Sequence, residues 1–189
     1  FVDDRTLFVC IGDVSGHGIA AALFMVRAIG LLRTLAMETV LPDKLLETLN
    51  DRLCIGNDAN LFLTLFCGFL DVPSGRFVYA NGGHCAPIIG SGPETEFLPL
   101  PNGILIGAAS GRRYSSMQCD LAIGETLFCY TDGVTEAENY AGVPFSEDGC
   151  LEPLPGGGET PLLDLLDSLH EKVVIHTGSR VMADDCTML

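Results

Sequence analysis

Two apolar runs, Phe62–Leu70 (FLTLFCGFL) and Arg76–Ala80 (RFVYA), flank Asp71-Val72-Pro73-Ser74-Gly75. The runs are rich in aromatic and β-favouring residues. The linker carries the Pro and Gly of a tight turn. Together they predict a β-hairpin, and so an antiparallel sheet rather than a parallel one reached through crossover helices.

Further along, Cys85–Ile89 and Glu96–Leu100 flank Gly90-Ser91-Gly92-Pro93 as a second hairpin. Tyr114–Leu121 and Thr126–Thr131 read as further strands, joined through Gly124-Glu125. Asn139 to Pro161 is polar and rich in Pro and Gly, a loop insertion with room for a short helix. Before the first hairpin lies a strand, Thr6–Gly12, broken by Ser15-Gly16-His17-Gly18. Ile19 to about Met37 is free of Pro and predicts a long, buried helix whose Leu/Ala-rich face is core. Pro42 opens a second helix through about Cys54, with Leu45, Leu46, Leu49 and Leu53 at helical spacing. Pro161–Val174 is a final helix with Leu162, Leu165, Leu166 and Leu169 on one face, and Asp184–Leu189 is a closing strand. Hairpins with clustered helices predict an antiparallel α+β sandwich with helices packed outside.

The 189 residues suffice for one domain with a sizeable core. Twenty-five acidic residues against ten basic ones give a formal net charge of −15. That leaves few bases for a nucleic-acid face and opposes anionic membranes. No run approaches about 18 consecutive apolar residues. No signal-peptide pattern opens the chain, and the first residue is Phe1, so a piece of a longer, cytoplasmic protein is expected. The eight cysteines include no C-x-x-C pair. Reduced, buried thiols are therefore expected rather than a zinc site.

Three aspartates stand where strands run out beside glycines or further acids: Asp13 in Gly-Asp-Val-Ser-Gly-His-Gly, Asp132 in Tyr-Thr-Asp-Gly-Val-Thr-Glu, and Asp184 in Ala-Asp-Asp-Cys-Thr-Met-Leu. Such carboxylates can converge on one rim of a sheet, where hard divalent cations take oxygen ligands. A pair of ions would activate water against a phosphate ester without a protein nucleophile. Any single Asp-Gly pair is an ordinary turn; three at predicted strand ends shift the balance toward a metal site, which spacing alone does not establish. Ser15 does not fit a nucleophile elbow, because Asp13 and His17 occupy the glycine positions of G-x-S-x-G.

The string Gly12-Asp13-Val14-Ser15-Gly16-His17-Gly18-Ile19-Ala20-Ala21-Ala22 resembles the signature of the SpoIIE/RsbU-like branch of the type 2C (PPM) protein phosphatases. Tyr79-Ala80-Asn81-Gly82-Gly83-His84, Tyr130–Glu136 and Asp184-Asp185-Cys186-Thr187 follow in that family's order. The resemblance implies a four-layer α-β-β-α sandwich of two antiparallel sheets flanked by helices, with residues 1–189 as one catalytic domain lacking its first strands. It implies two Mn²⁺ or Mg²⁺ ions held by Asp13, Asp132, Asp184 and the Val14 carbonyl. It also implies a phosphoserine or phosphothreonine substrate on a bacterial regulator of the anti-anti-sigma (STAS) type. His17 is a candidate for proton transfer or phosphate orientation, or else a cap for the next helix. Asn81 and His84 are expected to build a turn near the site. Glu136 and Glu138 are candidates for supporting an accessory cation, Arg112 and Arg113 for meeting a phosphate or lying on the surface, and the helices after Asp13 for a partner or homodimer contact. The family's further Gly-Gly-Asp motif has no counterpart here; Asp3 and Asp4 match a later hairpin turn. This predicts weak metal binding and little activity from the chain as it stands. The alternative is a pseudophosphatase that binds a phosphoprotein without hydrolysing it.

Overall fold

The computed structural model describes residues 1–91, 94–151, 162–178 and 185–189. The chain divides into two compact units, residues 1–84 with 100–121, and residues 85–99 with 122–189.

The first unit is built on the predicted hairpin. Strands β1 (Thr6–Val14), β2 (Leu63–Asp71), β3 (Arg76–Gly82) and β6 (Ser116–Asp120) form an antiparallel sheet in the order β1-β2-β3-β6. Asp71 pairs with Arg76 across the turn, and Thr6 pairs with Asp71 on the other side. The strand register puts Asp13 opposite Thr64. Helices α1 (Ile19–Glu38) and α2 (Pro42–Cys54) supply Phe24, Ala28, Leu32, Leu35, Leu45, Leu46, Leu49 and Leu53 to the core, which meets Leu65, Cys67 and Phe69 of the sheet. Pro42 sits in the first turn of α2, where its missing N–H costs nothing.

The expectation that α1 is a buried helix is corrected. It buries one face only, while Ile19, Leu23 and Val26 are 81%, 65% and 66% exposed. The helix is long and apolar enough to cross a membrane by length and composition. Its buried face nevertheless lines the core of a folded unit, as a helix of a globular protein does.

The second unit holds β4 (Ile88–Ser91), β5 (Glu94–Phe97) and β7 (Thr126–Phe128) in the order β5-β4-β7, again antiparallel. Short helices α3 (Asp132–Thr135) and α4 (Ser146–Cys150) and the longer α5 (Leu162–Thr177) accompany it. The two strands read on either side of Gly124-Glu125 enter different sheets, β6 beside β3 and β7 beside β4. The core gathers Ile88, Phe128, Tyr130, Val134, Leu169 and Val173. Of the face predicted for α5, Leu166 and Leu169 pack into the core beside Val173, Leu162 is instead 67% exposed, and the Leu165 side chain lies outside the described residues. The fold class is α+β, two antiparallel sheets with flanking helices, as the sequence predicts.

Candidate active site

Asp13 is the penultimate residue of β1. Gly12 precedes it because a Cβ there would stand 2.5 Å from the Thr64 carbonyl oxygen, so any other residue would push the paired strand away. The Asp13 N–H donates to Thr64 Oγ1 at 3.3 Å, and the same oxygen lies 2.8 Å from His84 Nδ1. Asn81 closes the turn that delivers His84: its Oδ1 accepts from the His84 N–H at 3.0 Å, and its Nδ2 donates to the His84 carbonyl at 3.1 Å. Thr64 therefore ties the Asp13 backbone to the Asn81–His84 turn. The sequence placed Asn81 and His84 in a turn near the site; it gave no sign of Thr64, which stands in no motif and is recognisable only from strand register.

Ser15 continues the β1–β2 ladder. Its N–H donates to the Phe62 carbonyl, and its Oγ accepts from the Phe62 N–H, both at 2.9 Å. This hydroxyl has a structural task, which accords with rejecting it as a nucleophile. His17 is exposed and makes no hydrogen bond among the described residues. Gly18 is the N-cap of α1 and no side chain caps that helix, so capping by His17 is ruled out. Val14, whose carbonyl is the expected ligand, is a buried core residue at the end of β1.

Asp132 opens α3, and β7 ends four residues earlier at Phe128. Its carbonyl accepts from the Glu136 N–H at 2.8 Å, fixing the turn. Gly133 follows because a Cβ there would meet the Asp185 carbonyl oxygen at 2.3 Å. The chain's last residues pair with Cys129–Thr131, the segment that leads from β7 into Asp132. Cys129 and Leu189 exchange two backbone bonds of 2.9 Å, and the Thr131 N–H donates to the Thr187 carbonyl at 3.0 Å. The buried Thr131 hydroxyl donates to the Asp185 carbonyl at 3.1 Å and accepts from the Thr187 N–H at 3.0 Å. Residues 185–189 are thus held against the Asp132 turn. Asp184 itself lies outside the described residues.

The surroundings of Asp132 are acidic. Burial first, and then the nearby carboxylates of Asp132, Glu147 and Glu136, together push the Cys85 thiol up to about 11. The Asp132 carboxylate has no ion-pair partner among the described residues. Among those residues no three His, Cys, Asp or Glu side chains are grouped to hold a metal ion. Glu138 is tied locally, its backbone bridging to Pro144. Carboxylate oxygens are the donors a hard divalent ion takes.

The SpoIIE family profile (Stage II sporulation protein E) matches residues 3–189. Protein IcfG of Synechocystis sp. is 26% identical over 214 residues, covering 98% of this chain and 33% of that protein. Phosphoserine phosphatase RsbU of Bacillus subtilis is 29% identical over 154 residues, covering 80% of this chain and 44% of that protein. The chain thus spans less than half the length of these relatives. Among solved structures, the SiaA-PP2C domain of Pseudomonas aeruginosa superposes with a TM-score of 0.85 at 18% identity, covering 98% of this chain and 75% of that one. The PP2C phosphatase domain of SpoIIE from Bacillus subtilis gives 0.83 at 19% identity, covering 100% and 55%. These two likenesses establish the fold, and the profile match establishes the lineage. The chain belongs to the SpoIIE family, the SpoIIE/RsbU-like branch of the metal-dependent type 2C (PPM) phosphatases.

Proposed function

We propose that residues 1–189 act as one catalytic domain that hydrolyses phosphoserine or phosphothreonine on a bacterial regulatory protein in the cytoplasm. One observation supports this most: Asp13 near the end of β1 and Asp132 at the start of α3 each adjoin a glycine pressed onto neighbouring backbone, and Asp132 shares its surroundings with carboxylates that have no ion-pair partner among the described residues. In this reading Asp13, Asp132 and Asp184, with the Val14 carbonyl, hold two Mn²⁺ or Mg²⁺ ions. Such ions, when bound, neutralise a phosphate and make water a competent nucleophile near neutral pH. A solved structural neighbour, RsbX in complex with magnesium, accords with this; it has a TM-score of 0.68 at 21% identity.

The protein's own groups have defined tasks in this scheme. Thr64 and the Asn81–His84 turn fix the Asp13 backbone. Thr131 fixes the Asp132 turn against the chain end. His17, exposed beside the Asp13 turn, returns a proton to the departing serine or threonine oxygen as the P–O bond breaks. The relatives RsbU and RsbP of Bacillus subtilis are named phosphoserine phosphatases, and one structural neighbour belongs to the bacterial stressosome. Their names support phosphoserine as the group hydrolysed; the STAS-type carrier rests on the resemblance of the sequence motifs. The exposed face of α1 supports a homodimer.

The test is manganese-dependent hydrolysis of p-nitrophenyl phosphate by the full-length gene product. Asp132→Asn should lower turnover by about 100-fold or more, while Asp120→Asn, on an exposed strand position, should leave it unchanged. Equal turnover in wild type and Asp132→Asn would end the enzymatic reading. Phosphoprotein binding without any turnover in the wild type would select the pseudophosphatase.

A further inference from the structure

The chain is strongly acidic, yet three of its arginines line one cavity. The cavity, about 290 Å³, lies between α2 and the loop that precedes β6, with Glu47, Asp51, Arg52, Gly111, Arg112 and Arg113 on its walls. Its carboxylates are already engaged. Glu47 accepts from Lys44 Nζ at 3.1 Å and from Arg113 Nη1 at 2.9 Å. Asp51 Oδ1 accepts from the Gly111 N–H at 2.7 Å and from Asn50 Nδ2 at 3.3 Å. The guanidinium groups of Arg52 and Arg112 have no hydrogen-bonding or ionic partner among the described residues.

The walls are held in place from below. Asn50 is fully buried; its Oδ1 accepts from the Gly107 N–H, and its Nδ2 donates to the Ala109 carbonyl, both at 2.9 Å. Asn50 and Asp51 thus clamp one loop at three backbone points. At the far end of α2, Arg27 donates to the carbonyls of Arg52 and Ile55. The loop and the helix end that carry Arg112 and Arg52 are therefore ordered before any ligand arrives, which lowers the entropic cost of binding. Guanidinium forks match the planar or tetrahedral oxygens of carboxylate and phosphate, two hydrogen bonds at a time.

We propose that this cavity is an anion-binding site that takes an oxyanion group, phosphate or carboxylate, on Arg52 and Arg112, with Arg113 as the third cationic wall. Exposed guanidinium groups bind a single small anion weakly, because salt screens them. The site gains strength when the oxyanion is carried on a longer acidic ligand that meets several forks together.

The proposal is independent of metal chemistry and is tested with chelator present. Inorganic phosphate and a hexaglutamate peptide are titrated separately into the protein by calorimetry. The comparison is among wild type, the double variant R52A/R112A, and the control R5A/R76A, whose arginines face Asp71 and Gln118 instead. At least one probe should bind saturably, with affinity falling about tenfold or more in R52A/R112A and changing less than about twofold in the control. Phosphate alone would identify a phosphate site; tighter binding of the peptide would identify an acidic segment as the ligand. No saturable binding of either probe, or equal affinity in wild type and R52A/R112A, overturns the proposal. Circular dichroism checks that the exposed substitutions leave the fold intact.

Discussion

Thr64 links the aspartate that ends β1 to the Asn81–His84 turn through one hydroxyl, so its role separates from that of its neighbours. Thr64→Val keeps the shape and removes the hydroxyl, leaving the Asp13 N–H and His84 Nδ1 without this oxygen. A loss of about 1–3 kcal/mol is expected in chemical denaturation, together with a lower kcat on p-nitrophenyl phosphate. An unchanged kcat would free Asp13 positioning from Thr64. Glu47 gives a pH signature. Burial pushes its carboxyl up, but the hydrogen bonds from Lys44 and Arg113 outweigh burial and hold it below its ordinary value of 4.5. A depressed carboxylate stabilises the fold fully above its unfolded pKa, and that stabilisation is lost as pH falls through the folded value. The Tm gap between wild type and Glu47→Gln should be steady near neutral pH and close on acidification below 4.5. A gap that widens there would contradict the assignment. Thiols behave in the opposite sense. Burial drives Cys67 well above its ordinary value and Cys150 to about 12, so both should escape iodoacetamide in the native protein and react once it is denatured, as read by mass spectrometry.

At the scale of elements, glycine positions record where backbones touch. Gly133 lies against the Asp185 carbonyl, so Gly133→Ala must separate the Asp132 turn from the chain end. A cost of about 1–3 kcal/mol is expected from overpacking, measurable as a shift in the urea midpoint. Much of this architecture was legible in the sequence. The turn chemistry of Asp71–Gly75 defined the first hairpin, and the helical leucine spacing of Pro42–Cys54 defined α2 within its observed bounds. Composition did not reveal which face of α1 is covered, because its apolar residues run all round the helix and only packing selects Phe24, Ala28 and Leu32. The pattern gave Leu166 and Leu169 of the α5 stripe but carried it too far toward the helix start, since Leu162 fits the helical spacing yet ends in solvent. The partition of β6 and β7 into different sheets was hidden for a similar reason: a short Gly-Glu connection resembles a hairpin until long-range pairing is known.

At the scale of the whole molecule, the order of four motifs carried the lineage, and the match over residues 3–189 established it. Asp13 and Asp132 stood out in the sequence because carboxylates beside glycines at the ends of predicted strands suit a hard cation, the role proposed for them. Thr64 was not legible, because strand register is a property of the pair and not of either strand. The central claim is that Asp13 and Asp132 bind divalent ions. It is tested most directly by manganese titration of the full-length protein, followed through the electron paramagnetic resonance signal of free Mn²⁺. Wild type should take up manganese saturably, and Asp13→Asn and Asp132→Asn should each weaken uptake by about tenfold or more. Equal uptake by wild type and both variants would contradict the account.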